Sequence, residues 1–112
     1  MSFNDPLTLL RILLVEDNDH DRYAFHRAFR KTGVSTEITD CVRAEEAMEY
    51  ARSDPSAFDI VVTDYRLPGM SGLALCNELL QNEVPLPLVI LTGAGSEHLA
   101  VDALKIGVND YM

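Results

Sequence analysis

The feature that most constrains the fold is a regular alternation of short apolar runs with segments of helical periodicity. Four runs have the composition of strands: Arg11–Glu16, Thr36–Cys41, Phe58–Thr63 and Leu88–Thr92. Strands separated by helices pair in parallel through right-handed crossovers, which place helices on both faces of the sheet. The pattern therefore predicts a three-layer, doubly wound α/β domain.

The helix boundaries carry recognisable start and stop signals. Asn18 or Asp19 can cap the first helix, which stops near Gly33, and the second closes at Asp54-Pro55. The third helix is capped by Ser71, ends before Pro85 and carries the apolar residues Leu75, Cys76, Leu79 and Leu80. A fourth helix is expected from Ser96 to Gly107, and residues 109–112 are expected to open a fifth strand.

Length and charge exclude several classes of function. The chain has 112 residues, which suits one domain, with residues 1–10 expected as a leader and 11–112 as the folded unit. A formal charge of −9 argues against direct binding to nucleic acid. No apolar stretch approaches the roughly 20 residues of a membrane span, and the start lacks a signal peptide. With only two cysteines, a soluble cytoplasmic protein is expected.

Acidic residues follow two of the predicted strands. Glu16 and Asp17 end the first, and Asp64 follows the third. In a flavodoxin-like strand order of 2-1-3-4-5, these residues converge with Thr92 at the carboxyl edge of the sheet, where open α/β folds bind ligands. Clustered carboxylates call for a cation or raised pKa values, and an all-oxygen site suits Mg²⁺. The Thr92 hydroxyl could hydrogen-bond an oxygen atom bound at Asp64.

Three segments at these positions, together with the end of the chain, resemble a known family. The segments Leu14–Asn18, Val62–Gly72 and Val89–Gly93, followed by Ala103–Tyr111, resemble the motifs of response-regulator receiver domains, the CheY-like family. Each motif alone is modest, but their order and spacing together are specific. The resemblance covers the chain from about residue 11 to its end and implies the same CheY-like fold.

The resemblance also implies a role for each matching residue. Asp64 would accept a phosphoryl group from a sensor histidine kinase or a phosphotransfer protein. Mg²⁺ would be held by Glu16, Asp17, Asp64 and the backbone carbonyl of Arg66. Thr92 would contact the phosphoryl group and move with it, and Tyr111 would be the aromatic switch residue coupled to that movement. The only chemistry expected is phosphotransfer and slow autodephosphorylation, with output through a downstream effector domain or protein.

One departure from the family pattern leaves alternatives open. The family's site lysine would fall two residues beyond Met112, so we expect a fragment with an incomplete fifth strand and no fifth helix. Apolar surface exposed in this way would favour homo-oligomers. A pseudo-receiver that acts only as a protein-interaction module is the first alternative. A phosphatase of the haloacid dehalogenase type is the second, but it requires an aspartate where Arg66 stands.

Overall fold

The computed structural model describes residues 9–91, which form a four-stranded sheet and three α-helices. The elements are β1 (Leu10–Val15), α1 (Asp19–Thr32), β2 (Thr36–Cys41), α2 (Ala44–Ser53), a 3-10 turn (Pro55–Ala57), β3 (Ile60–Asp64), α3 (Gly72–Gln81) and β4 (Leu88–Leu91). All neighbouring strands are parallel, in the order β2-β1-β3-β4. The predicted α/β fold and strand order are confirmed as far as β4, whereas the predicted fourth helix and fifth strand lie outside the described residues.

The sheet is covered on both faces, as the alternation of strands and helices predicts. On one face, Phe25 and Phe29 of α1 pack on even-numbered residues of β1 and β3, such as Ile12 and Ile60. On the other face, small residues of α2 together with Leu75 and Leu79 of α3 pack on odd-numbered residues such as Val61. Because successive strand residues point to opposite faces, the aliphatic run of β3 supplies both layers.

The observed bounds of β1 and β3 differ from the bounds that the sequence predicts. β1 begins at Leu10, which is fully buried and pairs with Thr36, so Leu10 belongs to the sheet and not to the leader. β3 begins at Ile60, because Asp59 just before it accepts a hydrogen bond from the backbone N–H of Arg11 at 2.8 Å. At the other end of this strand, Asp64 pairs with Leu91 and is therefore the last residue of β3, whereas the sequence predicts it as the first residue after the strand.

The helix ends follow the predicted capping chemistry, and one of the apolar residues of the third helix lies outside the core. Asn18 caps α1 by accepting a hydrogen bond from the Asp21 N–H, and Gly33 ends that helix in the left-handed conformation. Ser71 caps α3 through the Ala74 N–H. Leu80 is 64% exposed, because the side of α3 that carries Leu75 and Leu79 faces the sheet and Leu80 points away from it.

Candidate functional site

The fold brings the predicted carboxylates together at the carboxyl edge of the sheet. Glu16 follows β1 directly and Asp17 comes next, while Asp64 ends the neighbouring strand β3. Each residue offers a carboxylate oxygen, and the three oxygens lie within 4.8 Å of one another. Glu16 is buried, Asp64 is half-buried and Asp17 is exposed, so the cluster opens to solvent on the Asp17 side.

Burial and neighbouring charges together perturb Glu16. Its side chain is only 6% exposed, and desolvation is the main reason that its pKa is raised to about 7. The negative charges of Asp64, Asp21 and Asp17 add to this rise, while a hydrogen bond to Oε2 from the Asn18 N–H, at 3.1 Å, opposes it. Without a cation, the site therefore holds its carboxylates together at an electrostatic cost.

Asp64 shows the same effect at the end of the central strand. Desolvation raises the pKa of its carboxyl group, and the charges of Asp17 and Asp21 contribute to the rise. Interactions with the backbone N–H groups of Tyr65 and Arg66 partly oppose it. Asp21, in the first turn of α1, thus raises the pKa of both Glu16 and Asp64, although sequence reasoning did not single it out.

The loop after Asp64 is held close to the strand. The Tyr65 N–H donates to the Leu91 carbonyl at 2.9 Å, and the Gly72 N–H donates to the Tyr65 carbonyl at 3.0 Å. A Cβ atom on Gly72 would lie 2.1 Å from the carbonyl oxygen of Asp64, a distance that no side chain tolerates. Gly72 therefore lets the start of α3 touch the backbone of Asp64, which fixes the direction of that strand end.

The loop before α1 is held by the first turn of the helix. The Glu16 N–H donates to the Cys41 carbonyl at 2.9 Å, and the Glu16 carbonyl accepts a hydrogen bond from Arg22 Nη1 at 2.9 Å. Arg22 also forms an ion pair with Asp19. Sequence reasoning missed Arg22, although its spacing of three residues from Asp19 within a helix is a signal for such a pair.

The remaining predicted site residues divide into those the structure describes and those it does not. The side chain of Arg66 is exposed in the loop after Asp64. Thr92 and Tyr111 lie outside the described residues, so their predicted roles stay predictions. The three carboxylates form an all-oxygen donor set of the kind that Mg²⁺ prefers, and a cation bound there would offset the negative charges that, after burial, contribute to the raised pKa values of Glu16 and Asp64.

The chain is similar in sequence to full-length bacterial regulators. It is 36% identical over 104 residues to the two-component response regulator PhoP of Pseudomonas aeruginosa, covering 92% of this chain and 44% of that protein. It is 33% identical over 105 residues to the response regulator RppA of Synechocystis sp., covering 92% and 43%. It is 29% identical over 102 residues to the transcriptional regulatory protein DctD of Pseudomonas aeruginosa, covering 91% of this chain and 21% of that protein. The chain therefore spans less than half of each of these relatives.

Solved structures share the fold. The receiver domain of the hybrid histidine kinase CckA has a TM-score of 0.69 at 24% identity, covering 86% of this chain and 96% of that one. The bacteriophytochrome response regulator AtBRR has a TM-score of 0.68 at 28% identity, covering 91% of this chain and 79% of that one.

Between residues 9 and 91, no helix combines the length and apolar character needed to cross a bilayer.

A sequence model of one family accounts for almost the whole chain. The model of the response regulator receiver domain matches residues 12–112. This range begins inside β1 and includes all three carboxylates of the site, Glu16, Asp17 and Asp64. The chain therefore belongs to the response regulator receiver domain family.

Proposed function

We propose that the chain is a phosphoacceptor of a two-component phosphorelay and that Asp64 receives the phosphoryl group. The observation that carries this proposal is the convergence of the Glu16, Asp17 and Asp64 carboxylates within 4.8 Å at the carboxyl edge of the sheet. Asp64 is the member of the cluster that ends the central strand β3, and its carboxylate is half-buried beside an exposed loop. A carboxylate in this position is held firmly and stays accessible to a donor.

The proposed cofactor is Mg²⁺, held by Glu16, Asp17, Asp64 and the backbone carbonyl of Arg66. Bound there, it would neutralise the charge of the entering phosphoryl oxygens. The carboxylates supply the negative charge that draws the cation in, and the surrounding loops hold them in place. Phosphoryl transfer depends on such positioning and charge neutralisation more than on covalent machinery.

The reaction proposed at Asp64 is a single displacement at phosphorus. A carboxylate oxygen of Asp64 forms a new bond to phosphorus while the bond from phosphorus to the donor group breaks, and the bonding electrons leave with the donor. The product is an aspartyl phosphate, which water hydrolyses slowly. We propose no other enzymatic activity.

The proposed donor is a sensor histidine kinase or a phosphotransfer protein. The names of two relatives support a donor of this kind, since PhoP is a two-component response regulator and DctD is a transcriptional regulatory protein. The chain covers 44% and 21% of these proteins, which agrees with output through a further effector domain or partner. A cytoplasmic location, where the free thiols of Cys41 and Cys76 stay reduced, is part of the proposal.

Phosphorylation would be read out through the residues that follow β4. We propose that Thr92 contacts the phosphoryl group and that Tyr111 changes its rotamer with the movement of Thr92. Tyr65 N–H donates to the Leu91 carbonyl, so the backbone after Asp64 is bonded directly to the residue before Thr92. This hydrogen bond supports a route by which a change at Asp64 reaches the end of β4.

The test is phosphorylation by a small donor. The protein is incubated with Mg²⁺ and acetyl phosphate, and the intact masses of wild type, Asp64→Asn and Glu37→Gln are compared. We expect one phosphoryl adduct on wild type and on Glu37→Gln, whose substitution removes an exposed carboxylate from β2, and none on Asp64→Asn. No adduct on wild type would favour the pseudo-receiver, and turnover of an unrelated phosphoester would favour the phosphatase.

A further inference from the structure

The guanidinium group of Arg22 joins the first turn of α1 to the loop that carries two of the carboxylates. Its Nη1 donates to the backbone carbonyl of Glu16 at 2.9 Å, and its Nη2 pairs with the carboxylate of Asp19. The Arg22 side chain is 20% exposed, whereas the Asp19 side chain is 91% exposed. Arg22 is thus largely buried against the loop, and the ion pair with Asp19 is its solvent-facing contact.

The two backbone groups of Glu16 are held by different elements: its N–H donates to the Cys41 carbonyl of β2, whereas its carbonyl accepts the hydrogen bond from Arg22. β1 ends at Val15, so the Glu16 carbonyl lies beyond the last strand residue. This carbonyl belongs to the peptide unit that links Glu16 to Asp17, and rotation of that unit would move the Asp17 side chain relative to Asp64. A donor fixed on α1 restricts this rotation. The backbone of Arg22 is itself anchored in the first turn of α1, because the Arg22 N–H donates to the Asn18 carbonyl at 3.0 Å.

We propose that Arg22 is a positioning residue of the metal site, holding the peptide between Glu16 and Asp17 so that both carboxylates face Asp64. The inference rests on the proposed function, since it assumes that these carboxylates bind Mg²⁺. The guanidinium group of Arg22 hydrogen-bonds to the backbone carbonyl of a ligand residue, and the carboxylate that it pairs with, Asp19, is not one of the three carboxylates of the cluster. It acts through Glu16, in the manner of the outer-shell groups that orient metal ligands.

The sign of the effect distinguishes positioning from simple electrostatics. A positive charge close to a cation site repels the cation, so removing Arg22 would strengthen Mg²⁺ binding if charge alone mattered. Loss of a positioning contact has the opposite effect, because the ligands must then be ordered by the metal itself. Outer-shell partners of metal ligands typically change metal affinity by about 10- to 100-fold. We expect the lower end of that range, about 10-fold weaker binding, for Arg22→Met.

The experiment is a titration of the whole chain with Mg²⁺ alone, followed by the amide chemical shifts of Glu16, Asp17 and Asn18 in two-dimensional NMR. Arg27→Met is the matched control, because Arg27 is exposed on the same helix and its loss removes the same charge. It lies about 7.5 Å further along the helix axis, at 1.5 Å per residue. We expect this control to bind Mg²⁺ as tightly as wild type or slightly more tightly.

A second variant and a second measurement keep the result interpretable if Arg22→Met is poorly folded. Arg22→Lys keeps the charge and one donor, so it should recover part of the affinity, and urea unfolding records the stability of each variant. Equal or tighter Mg²⁺ binding by folded Arg22→Met would overturn the inference, as would an equal loss in Arg27→Met. If wild type bound no Mg²⁺, the proposed function would fail first, and the two failures are therefore distinguishable.

Discussion

Substitution of Glu16 by glutamine should make the protein more stable at high pH and change its pH dependence. The pKa of Glu16 is raised from an ordinary value of 4.5 to about 7, chiefly by burial. The folded protein therefore holds the proton more tightly than the unfolded chain does. The stability that this proton contributes is fully present below pH 4.5 and is lost as the pH rises through 7.

The size of the effect follows from the two pKa values. The difference between 4.5 and about 7 corresponds to an upper value of about 3–4 kcal/mol, at about 1.4 kcal/mol for each pKa unit. Most of this loss, about 2–3 kcal/mol, falls between pH 5 and pH 8. Glutamine carries no charge at either pH, and its amide oxygen can still accept the hydrogen bond from the Asn18 N–H.

The assay is urea unfolding followed by circular dichroism at pH 5 and pH 8, with EDTA present to remove cations. We expect the free energy of unfolding of Glu16→Gln to gain up to about 2–3 kcal/mol relative to that of wild type on going from pH 5 to pH 8. Glu37→Gln, which removes an exposed carboxylate from β2, is the control and should show no such gain. An equal stability difference between Glu16→Gln and wild type at both pH values would refute the reasoning.

Three further predictions test the packing around the site. Gly72→Ala should cost about 1–3 kcal/mol in urea unfolding, because its Cβ would lie 2.1 Å from the Asp64 carbonyl oxygen. Leu79→Ala should cost about 2–5 kcal/mol, whereas Leu80→Ala, next to it but 64% exposed, should stay within about 0.5 kcal/mol. Burial raises the pKa of the Cys41 thiol to about 12 and also raises that of Cys76. Both thiols should therefore react slowly with a thiol reagent at pH 8 until urea unfolds the chain.

Each of these predictions has a result that contradicts it. Unchanged stability of Gly72→Ala would mean that the start of α3 can move away from Asp64 without cost. Equal losses for the alanine variants of Leu79 and Leu80 would mean that α3 packs in another orientation. Rapid labelling of Cys41 or Cys76 in the native protein would mean that the layer they belong to opens readily.

The sequence and the family that its motifs resemble were sufficient to predict the topology as far as β4 and the convergence of the carboxylates. Alternating strands and helices permit few arrangements other than a parallel sheet with right-handed crossovers. The carboxyl ends of parallel strands meet at one edge, so Glu16, Asp17 and Asp64 had to come close once β1 and β3 were neighbours. The first conclusion depends on periodicity, which a sequence records directly, and the second depends also on a flavodoxin-like strand order, which the resemblance to receiver domains implies.

The exact ends of the strands could not be predicted in the same way. Leu10 joins β1 because Thr36 of the neighbouring strand is placed to pair with it. Asp59 leaves β3 because its side chain accepts the backbone N–H of Arg11, a residue 48 positions away. A strand ends where its long-range partners end, and a local pattern does not contain those partners.

The tertiary structure also decided what surrounds the three carboxylates. The sequence contains Gly72 and Arg22, but not the contact of Gly72 with the Asp64 backbone or that of Arg22 with the Glu16 carbonyl. Nor does it state that Glu16 is buried while Asp17 beside it is exposed, a difference that sets the pKa of Glu16. Periodicity determined which residues meet at the edge of the sheet. Packing in three dimensions determined how far each is removed from water, and hence how strongly the site should favour a cation.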